Sequence, residues 1–379
     1  MTTSAIAADP LDLPLAIGPL RLHGRAVLAP MTRTSATADG RATAQMRDYY
    51  ARFAHGGFAL VVTEGTYVDE DASQGYLHQP GIATAAQEEA WRPVVEAVHA
   101  AGAAIALQLM HAGALSQGNA HTTRTVGPSP LRPVGSQMTI YRGSGPYRVP
   151  AQLEPPEIER IAHAFAEAAG RARAAGFDAV EVHGANGYLL DQFTSTSTNR
   201  RTDRYGGGAA NRIRLTVEVV HAIRTAVGAT FPVGVRVSQA KVNDHDHRWP
   251  DGETAARTVF AALATAGASY LHTSEPDALR PAFGDGPTLA RLAREHGRVP
   301  VIANGALRDP ERARDLIDRG DADLVALGKP ALANPDWPHR SRRALPHDDF
   351  DPAMLQPLAT LDNAERWLAS RTQAPGARS

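Results

Sequence analysis

The stretch AGFDAVEVHG, residues 175–184, joins a glycine to a short apolar run that ends in polar residues. An amphipathic helical pattern precedes it, and the same order of helix, glycine and apolar run recurs along the chain. Glycine just past a helix adopts the left-handed conformation that ends the helix. Apolar runs without polar alternation are typical of parallel strands buried on both faces. Further runs lie at 55–65, 101–111, 227–238, 266–275, 296–305 and 319–329, and the run at 24–32 lacks a preceding helix.

The segments between these runs are predicted to be helices. In 86–101, apolar residues recur from Trp91 at positions i, i+3, i+4 and i+7, which places them on one helix face. Residues 157–175 repeat the spacing from Ile158, and Asp-Pro-Glu at 309–311 is typical of a helix N-terminus. Eight strands with helices between them predict a (β/α)8 TIM barrel. The alternative is a doubly wound open sheet, but no G-x-G-x-x-G lies between a strand and a helix.

The composition excludes several classes of protein. With 43% hydrophobic residues in a chain of 379, a large core can form, and we expect one domain over 1–379 with loose tails at 1–9 and 371–379. A formal net charge of −1 argues against binding nucleic acid or an anionic membrane through bulk charge. The absence of cysteine excludes disulfides, thiolate metal sites, iron–sulfur clusters and a cysteine nucleophile. Since no membrane span or signal peptide is recognisable, we expect a soluble, cytoplasmic protein.

Several loops are longer than a minimal barrel needs. Residues 112–155 are rich in Gly, Pro, Ser and Thr and contain one β-branched and aromatic piece, QMTIY at 137–141. This composition predicts a small β-hairpin excursion over the barrel mouth. Two more long polar loops are predicted at 189–209 and 239–252, and connections of this length are usually functional.

Small, polar or charged residues end every predicted strand. In barrels of this type the functional site lies at the C-terminal ends of the strands, so these residues are predicted to share one site. The strand-end residues are Pro30, Met31 and Thr32; Glu64 and Gly65; Gln108 and His111; His183, Asn186 and Tyr188; Arg236; Thr273, Ser274 and Glu275; Asn304, Gly305 and Ala306; and Gly328 and Lys329.

Two parts of this site indicate a phosphate-bearing flavin. The glycine turns after the seventh and eighth strands expose backbone N–H groups, and Lys329 adds a positive charge, which favours a phosphate site over a solvated surface lysine. Arg236 within an apolar strand, together with Gln108, suits the pyrimidine edge of a flavin. The alternative for Arg236 is a structural ion pair. An acid–base pair of His111 and Glu64 is a further, weaker possibility.

The segment HGANGYLLDQF, residues 183–193, carries the residues with catalytic potential. His183 and Asn186 can donate hydrogen bonds to a carbonyl oxygen, and Tyr188 can deliver a proton nearby. The alternative is that these polar groups satisfy the local backbone at a strand end. The tract NDHDH at 243–247 resembles a metal site, but such tracts in polar loops are usually solvated, so no metal is expected.

Taken in order, the motifs resemble those of the Old Yellow Enzyme family of flavin-dependent ene-reductases. The resemblance extends from about residue 11 to about residue 340. Its motifs are APMTR (29–33), VTEGT (62–66), PGI (80–82), LQLMHAGA (107–114), GPSP (127–130), HGANGYLLDQF (183–193), TNRRTDRYGG (198–207), VGVRVS (233–238), NGALRDP (304–310) and GKPALANPDW (328–337).

This resemblance implies an enzyme that binds FMN non-covalently and takes hydride from NADPH or NADH. His183 and Asn186 would bind the carbonyl oxygen of an α,β-unsaturated substrate. The flavin N5 would deliver hydride to the β-carbon of that substrate, and Tyr188 would protonate its α-carbon. The implied FMN ligands are Pro30, Met31, Thr32, Gly65 and Gln108 at the ring, Arg236 at its N1/O2 side, and Gly305, Ala306, Gly328 and Lys329 at the phosphate.

Some features differ from the family pattern or mark one branch of it. Lys329 stands where the family usually has arginine, and a lysine holds phosphate only as a point charge. Thr32 matches the branch of the yeast and plant enzymes, whereas Met110 stands where the yeast enzymes carry a tryptophan. Reduction of nitro compounds or nitrate esters is an alternative activity, and a non-catalytic flavin-binding sensor is an alternative of another class. We expect a small-molecule substrate and a monomer or homodimer.

Overall fold

Eight parallel strands close into a barrel in the computed structural model, which describes residues 9–372. Each strand pairs with its neighbours in the sequence, and the last strand pairs with the first. The predicted (β/α)8 barrel is therefore confirmed, and every predicted apolar run forms one strand. The strands are Ala26–Leu28, Leu60–Val62, Ala104–Met110, Ala179–Asn186, Val233–Lys241, Tyr270–Ser274, Val301–Asn304 and Leu324–Leu327.

Helices connect the strands where the apolar spacing predicted them. Helix Ala85–Ala100 begins with a capping box in which Thr84 and Gln87 satisfy each other's backbone N–H groups. Helix Pro310–Asp318 begins at the predicted N-cap, Asp309. The longer helices are Ala44–His55, Ala85–Ala100, Pro155–Ala174, Arg214–Val227, Gly252–Thr265, Leu289–Gly297, Pro310–Asp318 and Leu361–Thr372, and the shorter ones are Leu189–Thr194, Ala209–Arg212, Lys329–Ala333 and Trp337–Arg342.

The buried apolar residues form two main layers. The larger layer lies between the barrel and the surrounding helices, and the smaller one fills the barrel interior. A hairpin of Leu15–Ile17 and Leu20–Leu22 packs onto the interior layer, to which it contributes the buried side chains of Ile17 and Leu22. Removing such side chains from water supplies most of the driving force for folding. This hairpin was not predicted, because its strands have only three residues each.

The predicted β-hairpin at 112–155 is wrong. The two short strands of this excursion, Val126–Gly127 and Ala151–Gln152, pair in parallel, whereas the strands of a hairpin are antiparallel. One isolated antiparallel bridge, between Ser136 and Pro146, is present in the excursion. The excursion is therefore mostly irregular chain held by side-chain contacts.

The predicted strand at 137–141 is instead a 3₁₀ turn, Thr139–Tyr141. The side chain of Gln117 donates hydrogen bonds to the carbonyl oxygens of Met138 and Tyr141 and accepts one from the N–H of Met138. One amide side chain thus occupies the backbone groups that a neighbouring strand would use. The predicted location over the barrel mouth is right, because Met138 and Tyr141 line the cavity there.

The predicted loose tail at residues 1–9 includes one residue that the structure describes, Asp9. The carboxylate of Asp9 caps the turn Pro10–Asp12 and forms an ion pair of 2.6 Å with Arg314, so this residue is not loose. Residues 1–8 lie outside the described part of the chain.

Two other segments predicted to be irregular contain helix. Helix Leu361–Thr372 includes the first residues of the predicted tail 371–379, and residues 373–379 lie outside the described part of the chain. The predicted loop 189–209 begins with helix Leu189–Thr194. Among the helices described, none combines the length and apolarity that crossing a bilayer requires.

The segment 343–360 crosses the barrel mouth after the last barrel helix. The N–H of Ala359 donates to the carbonyl oxygen of Ile140 at 2.9 Å, which joins this segment to the excursion. The guanidinium of Arg33 donates to the carbonyl oxygen of Thr360 at 3.1 Å, which joins it to the loop after the first strand. The C-terminal segment therefore forms one wall of the mouth.

Candidate active site at the barrel mouth

A cavity of about 810 Å³ opens at the C-terminal ends of the barrel strands. Parallel strands present these ends at one face, so the strand-end residues meet there although they are far apart in the sequence. The residues predicted to bind the flavin or the substrate all line this cavity: Pro30, Met31, Thr32, Gly65, Gln108, His183, Asn186, Tyr188, Arg236, Gly305, Ala306, Gly328 and Lys329. Of the other strand-end residues predicted to share the site, Glu275 and Asn304 also line the cavity, whereas Glu64, His111, Thr273 and Ser274 do not.

Close backbone approach requires glycine at one edge of the cavity. At Gly305 the φ angle is +144°, and an added Cβ would lie 2.2 Å from the carbonyl oxygen of Glu275. The next residue, Ala306, is also left-handed, with a φ of +51°. At Gly65 a Cβ would lie 2.3 Å from the sulfur of Met110. At Gly305 a side chain would therefore collide with the neighbouring backbone, and at Gly65 it would collide with the side chain of Met110, so glycine permits the close packing of the cavity wall at both positions.

The edge near the seventh and eighth strands carries exposed positive charge. Gly328 is the N-cap of the short helix Lys329–Ala333, and the N-terminus of helix Pro310–Asp318 lies after the seventh strand. The ammonium of Lys329 is exposed and lies 6.0 Å from the centroid of the Phe350 ring, a cation–π distance. Backbone N–H groups, helix N-termini and a cation form a donor set suited to a phosphate.

A buried carboxylate orients Gln108 on the cavity floor. The side-chain N–H of Gln108 donates to Glu181 at 2.9 Å, which leaves its carbonyl oxygen as the acceptor available to the cavity. The other oxygen of Glu181 accepts from His272 at 2.9 Å, and both of these side chains are completely buried. Burial alone would raise the pKa of Glu181, but the charges of His272 and Arg236 and its hydrogen bonds hold that pKa below its usual value.

Arg236 presents a buried guanidinium to the cavity. One of its terminal nitrogens donates to Ser274 at 2.9 Å and to Asn304 at 3.1 Å. Its Nε is buried without a partner among the described residues, and none of their carboxylates forms a direct ion pair with it. The alternative of a structural ion pair therefore has no support, and an acceptor in the cavity would complete the hydrogen bonding of this side chain.

His183 and Asn186 reach the cavity from the strand Ala179–Asn186. Asn186 has a left-handed φ of +61°, and its N–H donates to the hydroxyl of Ser238 at 2.8 Å, which stabilises this unusual conformation. Burial, together with the charge of Arg236, holds the pKa of His183 well below its usual value, so the ring is neutral at physiological pH. A neutral imidazole and a carboxamide can each donate one hydrogen bond to a ligand oxygen.

A buried ion pair supports the turn between these donors and Tyr188. The carboxylate of Asp191 accepts from the N–H of Gly187 at 2.7 Å and from the ammonium of Lys241 at 2.7 Å. The side chains of Asp191 and Lys241 are 1% and 4% exposed. Gly187 has a φ of +88° and follows Asn186, which is also left-handed. Two successive left-handed residues therefore depend on the contact with Asp191.

Tyr188 places its hydroxyl between the cavity and a second tyrosine. Its ring packs edge-on against His183 with centroids 4.9 Å apart, and its hydroxyl oxygen lies 2.5 Å from that of Tyr76. Burial raises the pKa of Tyr188 to about 12, so the phenol is protonated at neutral pH. A protonated, buried phenol at the cavity wall can serve as a proton donor.

Glu64 anchors the loop that contains Thr32. Its carboxylate accepts from the N–H groups of Arg33 and Thr34 at 2.8 and 3.1 Å. Burial raises the pKa of Glu64 to about 7. The suggested acid–base pair of Glu64 and His111 is wrong, because His111 accepts from a backbone N–H and lines a separate cavity.

The tract at 243–247 joins two loops. His247 contacts the hydroxyl of Ser195 at 2.8 Å through Nε2 and the carbonyl oxygen of Gln239 at 3.0 Å through Nδ1. Both ring nitrogens of this histidine are therefore engaged in protein contacts.

Several residues of the site were not predicted. Glu181 was detectable as a charged residue within the apolar run FDAVEV, because a carboxylate in a buried strand needs partners. Tyr76 and Phe350 lie in irregular segments that carry no periodic pattern, so nothing in the sequence marked them, whereas Tyr141 belongs to the piece 137–141 that was predicted to lie over the barrel mouth. Their positions depend on how the loops fold over the barrel.

Comparison with known proteins identifies a family that this chain matches. Residues 10–348 match the NADH:flavin oxidoreductase / NADH oxidase family. A 12-oxophytodienoate reductase 1 from Oryza sativa subsp. japonica is 38% identical over 357 residues, which cover 92% of this chain and 90% of that protein. A probable flavin mononucleotide-dependent alkene reductase from Leishmania infantum is 34% identical over 93% of this chain and 96% of that protein. An NADH oxidase from Thermoanaerobacter brockii is 34% identical, and the match covers 50% of its length.

Solved structures agree with the sequence comparison. Morphinone reductase in complex with tetrahydroNAD superposes with a TM-score of 0.81 at 36% identity, over 91% of this chain and 93% of that one. The Old Yellow Enzyme homologue from Zymomonas mobilis superposes with a TM-score of 0.83 at 32% identity, over 93% and 99% of the two chains. The chain therefore belongs to the NADH:flavin oxidoreductase / NADH oxidase family, the family of the FMN-dependent Old Yellow Enzymes.

Proposed function

We propose that this protein is an FMN-dependent ene-reductase that reduces the C=C bond of α,β-unsaturated carbonyl compounds with NADPH or NADH. One observation supports this assignment most directly: His183, Asn186 and Tyr188 line the same cavity as Arg236 and Gln108. Two hydrogen-bond donors and a protonated phenol thus face a site suited to a flavin. The names of the two relatives that match most of this chain, an oxophytodienoate reductase and an alkene reductase, agree with the proposal.

The residues at the cavity floor fit FMN. Arg236 offers a buried, unpartnered N–H, which suits the N1/O2 side of the ring, and Gln108 offers a carbonyl oxygen, which suits a ring N–H. Glycine at position 305 lets the backbone pack closely against that of Glu275 at one end of the cavity, and Lys329 adds a cation at the same end, where the phosphate would be held. Pro30, Met31, Thr32 and Gly65 would line the ring, and Ala306 and Gly328 would complete the phosphate site. Bound FMN supplies the hydride chemistry between the nicotinamide nucleotide and the alkene.

The donor pair would activate the substrate. His183 and Asn186 would hold the carbonyl oxygen by two hydrogen bonds, which strengthen as negative charge develops on that oxygen. The positive φ of Asn186 and its bond to Ser238 keep the carboxamide in place before the substrate binds. Such preorganised donors stabilise the transition state without reorganisation during the reaction.

Tyr188 would complete the reduction by protonating the α-carbon. At neutral pH the phenol of Tyr188 holds its proton, and Tyr188 lines the cavity. General acids of this kind contribute roughly 10²- to 10⁴-fold to a rate. Tyr188→Phe is therefore expected to lower the rate of 2-cyclohexenone reduction by about that factor, while flavin reduction by NADPH or NADH continues.

Stopped-flow absorbance of the flavin measures the two half-reactions separately. The matched measurement is a titration of wild type and variant with a simple phenol, whose charge-transfer band reports ligand binding at His183 and Asn186. An unchanged rate of enone reduction in Tyr188→Phe would remove the tyrosine from its role. A loss of phenol binding by the variant would instead indicate a distorted site.

Reduction of nitro compounds or nitrate esters is the second candidate activity, since these substrates need hydride but not the tyrosine proton. Tyr188→Phe separates the two activities, because it should slow enone reduction only. A non-catalytic flavin-binding sensor is the remaining alternative. It predicts that neither NADH nor NADPH bleaches the flavin absorbance of the purified protein.

A further inference from the structure

A second tyrosine lies behind the proposed proton donor. Tyr76 belongs to the loop after the second barrel strand, and its hydroxyl oxygen is 2.5 Å from that of Tyr188. Tyr76 is completely buried, in a small cluster that also contains Met110, Tyr147 and Tyr188. Among the described residues, its hydroxyl makes no hydrogen bond except the one to Tyr188.

The loop is held so that this contact does not depend on the substrate. The N–H of Gln79 donates to the carbonyl oxygen of Tyr76 at 3.1 Å, and the side chain of Gln79 donates to the carbonyl oxygen of Gly65 at 2.6 Å. The ring of Tyr76 also packs against that of Tyr141, with centroids 4.7 Å apart. The backbone of Tyr76 is therefore held through Gln79 to the cavity wall at Gly65, and its ring is held to the excursion at Tyr141, which together fix the position of its hydroxyl.

The direction of the hydrogen bond follows from the number of protons. Tyr188 has one hydroxyl proton, and a proton donor must direct it toward the cavity. The oxygen of Tyr188 is then an acceptor, and Tyr76 must donate to it. Burial raises the pKa of Tyr76 well above its usual value, so Tyr76 keeps its own proton during the transfer.

We propose that Tyr76 is a positioning residue for proton transfer, whose hydroxyl donates a hydrogen bond that stabilises the phenolate left on Tyr188. This inference rests on the proposed function. In the transfer the O–H bond of Tyr188 breaks, a C–H bond forms at the α-carbon, and the negative charge of the substrate moves to the Tyr188 oxygen. Solvent water returns the proton after the product leaves. A phenolate in a buried site is costly unless a hydrogen bond compensates it, and Tyr76 supplies that bond.

Tyr76→Phe in the FMN-loaded enzyme tests the proposal. A hydrogen bond to a charged group corresponds to roughly a 10- to 100-fold change in rate, so enone reduction should slow by that factor. Reduction of a nitro compound, flavin reduction by the nucleotide and phenol affinity should stay at the wild-type level. A general disturbance of the site would slow all acceptors alike, so the difference between substrates identifies the effect on proton transfer.

Tyr147→Phe is the matched control. Tyr147 lies in the same cluster, and among the described contacts it makes no hydrogen bond to Tyr188, so this variant should reduce enones like the wild type. The double variant Tyr76→Phe/Tyr188→Phe should be no slower than Tyr188→Phe alone, because Tyr76 acts only through Tyr188.

Three results would overturn the role of Tyr76, and a fourth concerns Tyr188. Wild-type enone reduction by Tyr76→Phe, or an equal loss with enone and nitro substrates, contradicts the proposal for Tyr76. If Tyr76→Phe is inactive only because it binds no FMN, the absorbance spectrum shows it, and that result also contradicts a role confined to proton transfer. Enone reduction unchanged in Tyr188→Phe would instead contradict the proposed function of Tyr188 itself.

Discussion

The buried ion pair of Lys241 and Asp191 offers a quantitative test of how the turn at Asn186 and Gly187 is held. Lys241→Met removes the ammonium and leaves a carboxylate that is 1% exposed without its counter-ion. Breaking a buried pair by removing one partner costs about 3–5 kcal/mol, because an uncompensated charge stays behind. We therefore expect the free energy of unfolding to fall by roughly that amount.

Removing both charges should be less harmful than removing one. In Lys241→Met/Asp191→Asn the neutral amide can still accept the hydrogen bond from Gly187. The double variant should recover more than about 1 kcal/mol relative to Lys241→Met, which is the coupling expected for residues in direct contact. Urea denaturation followed by circular dichroism measures these free energies, and phenol titration measures the geometry of Asn186 in the same variants.

An exposed ion pair provides the control. Arg319 and Asp315 lie 2.7 Å apart with side chains that are 57% and 41% exposed, so Arg319→Met should cost less than about 1 kcal/mol. If Lys241→Met were as mild as Arg319→Met, the buried pair would not stabilise the turn. Additive effects of the two buried substitutions would likewise refute the argument, because they would show that Lys241 and Asp191 act independently.

Two further substitutions test the cavity wall and its anchor. Gly305→Ala should lower the free energy of unfolding by roughly 1–3 kcal/mol and weaken FMN binding, because its Cβ would lie 2.2 Å from the oxygen of Glu275. Gly170→Ala, in helix Pro155–Ala174 with open space around it, should be neutral or stabilising, and urea denaturation with FMN titration compares the two. Since the pKa of Glu64 rises from 4.5 to about 7 on folding, the folded state binds the extra proton, and the stability from this group is lost as pH rises between those values. Glu64→Gln should remove up to roughly 3 kcal/mol of that pH dependence, and equal slopes for wild type and variant between pH 5 and 7.5 would contradict the assignment.

The barrel and the strand-end residues that line the cavity were predictable because they follow from local patterns. A glycine after a helix and a short apolar run mark each strand regardless of what surrounds it, and Asp309 caps its helix through a contact two residues away. Once the parallel strands are recognised, their C-terminal ends must meet at one face, so Gln108, His183 and Arg236 could be assigned to one cavity.

The excursion could not be predicted from its own sequence. The β-branched piece at 137–141 favours a strand by propensity, but the side chain of Gln117 bonds its backbone and a turn forms instead. β-propensity depends on which neighbours are available, and here the neighbour is a side chain from elsewhere in the loop.

The amino-acid sequence by itself determined the barrel strands, the helices between them and the strand-end residues at the mouth, because these depend on periodicity and on contacts within one segment. Only the tertiary structure decided the partners of those residues. Glu181 orients Gln108, Lys241 balances Asp191, and the hydroxyl of Tyr76 meets that of Tyr188. Each of these contacts joins side chains from separate elements at hydrogen-bonding distance, and such distances depend on how the whole barrel and its loops pack rather than on any local pattern.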